Sequence, residues 1–202
     1  MLLKKGQLPI LIVNLIMLIG FTIFYWGKQN IEFLMYIGVI VFFLALIVAT
    51  NRRHNLSNGV LWGLTLWAFL HMAGGSFIHN GAIWYKWQLL SIWNTENFFI
   101  LRYDQLVHFI GFGIATLITY ELIKPHLSEK INRWLFSAVL ILIGMGIGAL
   151  NEIIEFFAVV IIPETGVGGY YNTMWDLVFN TLGAIVAVIY INFKSKYKNL
   201  HC

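Results

Sequence analysis

The sequence predicts an all-α integral membrane protein, with six transmembrane helices in a single domain over residues 1–202. Hydrophobic residues make up 59% of the chain and charged residues only 11%, whereas a soluble domain carries about 25% charged residues. The mean hydropathy is +0.78. Apolar runs of about 20 residues, the length that crosses a bilayer, recur along the chain. These observations exclude a disordered chain, a fibrous chain and an ordinary soluble enzyme.

The apolar runs set the order of the helices. The predicted spans are 8–26, 31–50, 59–77, 104–123, 134–162 and 174–193. Pro9 lies where the first span begins, and Pro125 follows the fourth, as expected for a residue that suits helix starts and stops helices. The fifth span is longer than a bilayer requires, so we expect it to tilt, break or project.

Small residues recur in the last three spans at the spacing that brings helices close together in lipid. The pairs are Gly111 with Ala115, Gly144 with Gly148, and Gly183 with Ala187. We therefore expect the last three helices to form the compact core of the domain, with the first two helices more peripheral.

The basic residues set the orientation. Of the 13 Lys and Arg residues, ten lie on one side of the predicted spans and three, Lys28, Lys86 and Arg102, on the other. This bias places both termini in the cytoplasm of a multi-pass cell-membrane protein, with the lipid bilayer as its partner. The basic residues form no nucleic-acid-binding module, so we expect no nucleic acid partner. The oligomeric state stays open.

The loop between the third and fourth spans, residues 80–103, is rich in aromatic side chains. They are Trp84, Tyr85, Trp87, Trp93, Phe98 and Phe99. Aromatic side chains favour the interface between membrane and water. We expect this aromatic loop at the outer surface, lying on the outer leaflet and partly folded as an amphipathic helix. It is either part of a ligand site or an aromatic belt without such a role.

Polar residues occur in the last three spans, although ionisable groups are costly in a membrane and usually mark function. Each span carries them about one turn apart: Asp104 and His108 on the fourth, Asn151, Glu152 and Glu155 on the fifth, Asp176 and Asn180 on the sixth. At about 1.5 Å per residue, all lie within roughly 15 Å of the outer helix ends. Three helices thus deliver polar side chains to the outer half of the bilayer.

Four of these side chains are carboxylic acids, and the nearby fixed cation is Arg102. Carboxylates in a low dielectric do not all stay ionised without compensation. Some are protonated, a metal cation neutralises them, or the ligand is cationic. An oxygen-rich set with one histidine suits Mg²⁺, Mn²⁺ or Zn²⁺. The hypothetical divalent-metal ligands are Asp104, His108, Glu152, Glu155 and Asp176.

Two readings of individual residues stay open. The polar side chains could serve only as hydrogen-bonding contacts between helices, and Asp104 and Asp176 could be plain helix N-caps. His71 and His79 on the third span either join the polar layer or are packing residues.

The polar motifs resemble those of the YjdF-type membrane proteins, which in turn are similar to the VanZ-like family. The resemblance covers the second half of the chain: YDQLVHF at 103–109, NEIIEF at 151–156, and YNTMWD at 171–176 followed by NTLG at 180–183. It implies a protein of the cell surface, since VanZ-like proteins are linked with reduced susceptibility to glycopeptide antibiotics without an established reaction. The chain departs from the VanZ-like pattern at Glu155, where Gln is commoner, and lacks an arginine shortly before Asp176.

Three functions fit these observations. The leading hypothesis is an envelope enzyme, a metal-dependent hydrolase or transferase, acting on a lipid or polyprenyl headgroup at the outer leaflet. Its catalytic residues would be His108, Glu155, Glu152 and Asp104, and its substrate-binding residues Asp176, Asn180, Asn151, Arg102 and His71. The alternatives are a proton- or cation-coupled transporter of small solutes and a non-catalytic membrane interaction protein.

Overall fold

Six long helices form the domain, in the order that the sequence predicts. The computed structural model describes residues 3–51, 53–54, 56–90, 95, 100–128, 131–162, 165 and 167–198. The helices are α1 (Gln7–Gly27), α2 (Ile31–Thr50), α3 (Asn58–Ser76), α4 (Tyr103–Ile123), α5 (Arg133–Ile161) and α6 (Tyr170–Lys198). Within these ranges all but α3 are long and apolar enough to cross a membrane. In α3, four glycines and the polar Asn58, Thr65 and His71 dilute the hydropathy.

Successive helices run antiparallel, so helix termini gather at two ends of the bundle. At one end the Tyr25 hydroxyl of α1 donates to the Met72 carbonyl of α3 over 2.5 Å. At the other end the Asn192 amide of α6 donates to the Ser137 hydroxyl of α5 over 3.0 Å. We call the first the hairpin end, because residues 78–83, which follow α3, fold there as a β-hairpin. We call the second the lysine end, because it carries Lys4, Lys5, Lys124 and Lys194.

Polar side chains cap three of the helices where the sequence changes from connection to apolar run. Asn30 accepts from the third residue of α2, and Ser57 accepts from the third residue of α3. Asn132 accepts from two backbone N–H groups in the first turn of α5. Each cap satisfies donors that the helix itself leaves free, which explains why these helices begin where they do.

The sixth helix begins earlier than predicted. The span 174–193 was expected, but α6 already starts at Tyr170, and a backbone bond from Asn172 N–H to the Gly169 carbonyl closes its first turn. The interpretation of Asp176 as an N-cap is therefore wrong, because this residue lies in the second turn. Asn180 lies roughly 15 Å along α6 rather than 6 Å.

The last three helices form a close-packed core, as the small residues predict. A side chain at Gly183 of α6 would collide with the Phe109 carbonyl of α4, and one at Gly144 of α5 would meet Thr116 and Ala184. The first three helices pack around a second cluster, which includes Tyr25, Phe33 and Met72. Small residues thus let the backbones of α4, α5 and α6 approach each other.

Residues 80–90, the continuous described stretch of the aromatic loop, form a strand and a 3-10 turn and no amphipathic helix. Strands β1 (Ile78–His79) and β2 (Ala82–Ile83) pair in an antiparallel hairpin, followed by a 3-10 turn at Trp84–Lys86. Its rings turn inward: Trp84 lies 4.8 Å from Phe77 and 5.4 Å from Tyr103 between ring centroids. Trp93, Phe98 and Phe99 lie outside the described residues.

Large apolar side chains cover the outside of the bundle. Ile23 is 68% exposed, Ile161 71% and Trp134 88%. A soluble monomer rarely exposes a continuous apolar surface of this kind. Lipid tails are the environment that this surface suits, which makes the chain a multi-pass membrane protein.

The close approach of α4 and α6 yields a stability prediction. Gly183→Ala places a methyl group against the Phe109 carbonyl, whereas Gly146→Ala on α5 meets nothing within 4 Å. We expect Gly183→Ala to lower the free energy of unfolding by about 1–3 kcal/mol through overpacking. Thermal unfolding in detergent compares the two variants. Equal stability of both variants would contradict the packing described here.

Candidate functional site

His108 of α4 lies at the centre of the polar layer and is 6% exposed. Its Nδ1 lies 3.0 Å from Asn180 Oδ1 and 3.5 Å from Glu152 Oε1. Its Nε2 lies 3.6 Å from Asp104 Oδ1, one helical turn earlier. One imidazole ring therefore connects α4, α5 and α6, as the convergence of the three motifs predicts.

Asn172 connects two of the acids. Its Nδ2 donates to Asp104 Oδ2 over 3.0 Å and to Asp176 Oδ2 over 2.5 Å. A single amide thus holds the carboxylates of α4 and α6 next to each other. Asn172 is not among the predicted site residues, because the predicted sixth span begins only at residue 174. Since α6 starts at Tyr170, Asn172 lies on this helix, one turn before Asp176.

Glu155 completes the group on α5, where Asn151 Nδ2 donates to Glu155 Oε1 over 2.8 Å. We call the whole set the acid–histidine cluster; its members are Asp104, His108, Asn151, Glu152, Glu155, Asn172, Asp176 and Asn180. Two triads within it have ligand atoms within 4.8 Å of one another: Asp104, His108 and Asp176, and His108, Glu152 and Glu155. Both triads share the histidine.

Several polar atoms of the cluster are buried without a hydrogen-bond partner in the described part of the chain. They are both carboxylate oxygens of Glu152, Asp176 Oδ1 and Asn180 Nδ2. Asp176 is 1% exposed and Glu152 8%. Burial of an uncompensated carboxylate costs several kcal/mol. Within the described residues, these oxygens can accept further hydrogen bonds or coordinate a cation.

A cavity of about 210 Å³ adjoins the cluster at the hairpin end. Asp104, Glu155 and Asn172 form its polar wall, and Tyr85 and Lys86 of the aromatic loop lie on another side. We call it the hairpin-end cavity. Its remaining lining residues are Glu32, Phe33, Tyr36, His71, Ile83, Arg102, Val167 and Gly168. The aromatic loop therefore belongs to the wall of a cavity as well as to the end of the bundle.

The second helix contributes to this cavity, so the expectation that α2 is peripheral is wrong at its first two turns. Glu32 is 7% exposed and its Oε1 accepts from the Tyr36 hydroxyl over 3.3 Å. Sequence analysis missed both residues. The sequence does contain an indication for Glu32, because it is an acidic residue within an apolar run, as other acids of the cluster are.

The two histidines considered on the third span, His71 and His79, lie in different surroundings. His71 lines the cavity, and its Nδ1 lies 2.6 Å from the Tyr85 hydroxyl oxygen. The same hydroxyl donates to the His71 carbonyl over 2.7 Å. Burial raises the pKa of Tyr85 well above its ordinary value, so its phenol stays protonated. His79 is exposed and stacks on Trp87, 4.6 Å between centroids, away from the cluster.

Arg102 is placed as the sequence suggests, directly before α4 and beside the acids. It lines the hairpin-end cavity together with Asp104. Its backbone N–H donates to Gln105 Oε1 over 3.1 Å, which fixes the start of the helix. Burial lowers the pKa of Arg102 from its ordinary value, and the carboxylates of Asp104 and Asp176 oppose that change. Arg102 therefore remains a cation at the edge of an acidic site.

The fold and the site define a multi-pass membrane protein with a buried acid–histidine cluster beside a cavity. The chain belongs to the family described as "Predicted membrane protein (DUF2238)", which matches residues 8–196. No curated protein and no solved structure matches it.

The bridging amide yields a prediction about the site. Asn172→Asp replaces a donor by a third carboxylate facing Asp104 and Asp176, so we expect a loss of about 2 kcal/mol or more of unfolding free energy. The matched control is Asn192→Asp, an exposed amide at the lysine end. Thermal unfolding in metal-free detergent measures both. A loss no larger than that of the control would contradict the bridging role.

Proposed function

We propose that the chain is a divalent-metal-dependent enzyme of the cell membrane that hydrolyses or transfers the phosphate-bearing headgroup of a lipid. The observation that carries this proposal is the set of buried carboxylates around His108: in the described residues, three oxygens of Glu152 and Asp176 accept no hydrogen bond, and one imidazole is their shared neighbour. A divalent cation would supply positive charge beyond what the single imidazole of His108 can balance among four acids.

The donor set fits such a cation. With the Asn180 carbonyl oxygen accepting from His108 Nδ1–H, the lone pair of Nε2 faces Asp104. Nε2, Asp104 and Asp176 then form a three-ligand site of one nitrogen and two carboxylates. Asn180 and Asn172 hydrogen-bond to these ligands and would fix their orientation, as residues that contact the ligands of a metal site do. Two oxygens and one nitrogen suit Zn²⁺ or Mn²⁺, and Mg²⁺ would keep more waters.

Glu155 and Glu152 are the acid–base candidates. Glu155 belongs to the second triad and also lines the hairpin-end cavity, so its carboxylate is available to a headgroup bound in that cavity. In hydrolysis a water oxygen bonds to phosphorus and gives a proton to a carboxylate, while the bond from phosphorus to the leaving oxygen breaks and that oxygen takes a proton. Transfer follows the same course with an alcohol in place of water. The cation would stabilise the charge on the phosphate oxygens.

The cavity supports a headgroup as substrate. At about 210 Å³ it is smaller than the roughly 300–1,000 Å³ of sites that enclose a whole drug-sized ligand. Lys86 and Arg102 place two cations on a wall that also carries Glu32, Asp104 and Glu155. An anionic headgroup would therefore bind there together with the proposed metal cation. Phe33, Tyr36 and Tyr85 give an amphipathic wall suited to the boundary between headgroup and acyl chains.

The orientation fits the same proposal. The positive-inside count places the hairpin end outside the cell membrane and both termini in the cytoplasm. The resemblance to YjdF-type and VanZ-like proteins adds a role in the cell envelope. In the transporter alternative, the coupling carboxylates would need a polar path to the lysine end. Between the two ends α4, α5 and α6 instead pack through Gly144, Thr116 and Ala184.

Lipid turnover tests the proposal. Purified protein is placed in vesicles that contain phosphatidylglycerol, phosphatidylethanolamine and a polyprenyl diphosphate, with Zn²⁺, Mn²⁺ or Mg²⁺, and lipids are analysed by mass spectrometry. We expect metal-dependent loss of a headgroup or phosphate, abolished by chelator and reduced at least about 100-fold in Glu155→Gln, a typical acid–base contribution.

The control variant is His79→Gln, which alters an exposed histidine at the same end and should leave turnover unchanged. Thermal unfolding confirms that Glu155→Gln is folded. Unchanged lipids under all three metals, or equal turnover in Glu155→Gln and wild type, would contradict the proposed enzyme.

A further inference from the structure

A second cavity lies at the lysine end, remote from the acid–histidine cluster. It has a volume of about 580 Å³ and lies against α4, with α3 and α6 on either side. We call it the lysine-end cavity. Its lining residues are Ser57, Gly59, Val60, Ile114, Leu117, Tyr120, Glu121, Lys124, Tyr190, Ile191 and Lys194. The proposed function uses none of them.

The cavity is apolar towards the middle of the bundle and basic at its outer rim. Ile114 and Leu117 lie two to three turns inside α4 from Lys124, so the wall changes from aliphatic to charged along one helix. On α6, Ile191 and Lys194 repeat this order within one turn. Such a gradient matches a molecule with an apolar tail and an anionic head.

Aromatic rings hold the two lysines at the rim. Lys124 Nζ lies 5.9 Å from the centre of the Tyr120 ring, and Lys194 Nζ lies 5.5 Å from the Tyr190 ring. The Lys194 ammonium also donates to the Tyr190 hydroxyl over 3.4 Å. These contacts orient the ammonium groups without neutralising their charge.

The carboxylate in the same cavity serves another purpose. The two oxygens of Glu121 accept from the Ser57 backbone N–H over 2.8 Å and from the Ser57 hydroxyl over 2.6 Å. Glu121 thereby caps the start of α3. In the described ranges neither Lys124 nor Lys194 forms an ion pair with a carboxylate, so both ammonium groups can bind an external anion.

We propose that the lysine-end cavity binds an anionic phospholipid, with the phosphate between Lys124 and Lys194 and an acyl chain along Ile114, Leu117 and Val60. Basic cavities between transmembrane helices on the cytoplasmic side are suited to such headgroups, and the positive-inside count places this end in the cytoplasm. The volume of about 580 Å³ accommodates a glycerophosphate with the first part of its chains.

Native mass spectrometry of the full-length protein in detergent tests the site, with phosphatidylglycerol, phosphatidylcholine and soluble glycerol-3-phosphate as probes. We expect retention of phosphatidylglycerol, and binding at least about tenfold weaker in Lys124→Gln/Lys194→Gln, since each lysine near an anionic lipid contributes about a factor of five. The matched control is Lys28→Gln, an exposed lysine at the opposite end.

Three results would overturn the proposal. They are equal binding of phosphatidylglycerol and phosphatidylcholine, binding of glycerol-3-phosphate as tight as that of the lipid, and an effect of Lys28→Gln as large as that of the double variant. Because the lysines lie on the helix surface, circular dichroism and size-exclusion chromatography suffice to verify folding. The result is independent of any turnover at the hairpin end.

Discussion

The cost of placing carboxylates in a low dielectric governs this structure. Five acids, Glu32, Asp104, Glu152, Glu155 and Asp176, lie at the hairpin end of helices whose other faces are apolar. His108 lies between the carboxylates of two helices, and asparagine amides fill part of the remaining space. In the described ranges, three carboxylate oxygens still accept no hydrogen bond.

Helix packing places the acids at one depth. The contact of Gly183 with the Phe109 carbonyl brings α4 and α6 together just inside the cluster, and Gly148 lies against Asn180 in the same way. The backbones therefore approach closely where the polar side chains must reach each other. Away from this contact, α2, α3 and the aromatic loop enclose the cavity. The helices are thus closely packed on the side of the cluster that faces the lysine end, and the hairpin-end cavity adjoins the cluster at the opposite end.

The helices and the three polar motifs could be predicted from the sequence, because long apolar runs are easily recognised and ionisable residues within them are rare. Features that depend on tertiary contacts could not be predicted from the sequence. Glu32 joins the site only because α2 packs on α3, and Asn172 only because α6 begins four residues earlier than its apolar run. The hairpin in the aromatic loop depends on rings that pack on Phe77 and Tyr103, which composition alone does not indicate.

Metal content of the purified protein tests the central interpretation most directly. Wild type, Asp176→Asn and the control His79→Gln are loaded with Zn²⁺ or Mn²⁺, freed of excess metal and analysed by inductively coupled plasma mass spectrometry. The structure predicts near-stoichiometric metal in wild type and His79→Gln, and its loss in a folded Asp176→Asn. Metal-free wild type, or equal metal in all three proteins, would show that the buried carboxylates are satisfied in another way.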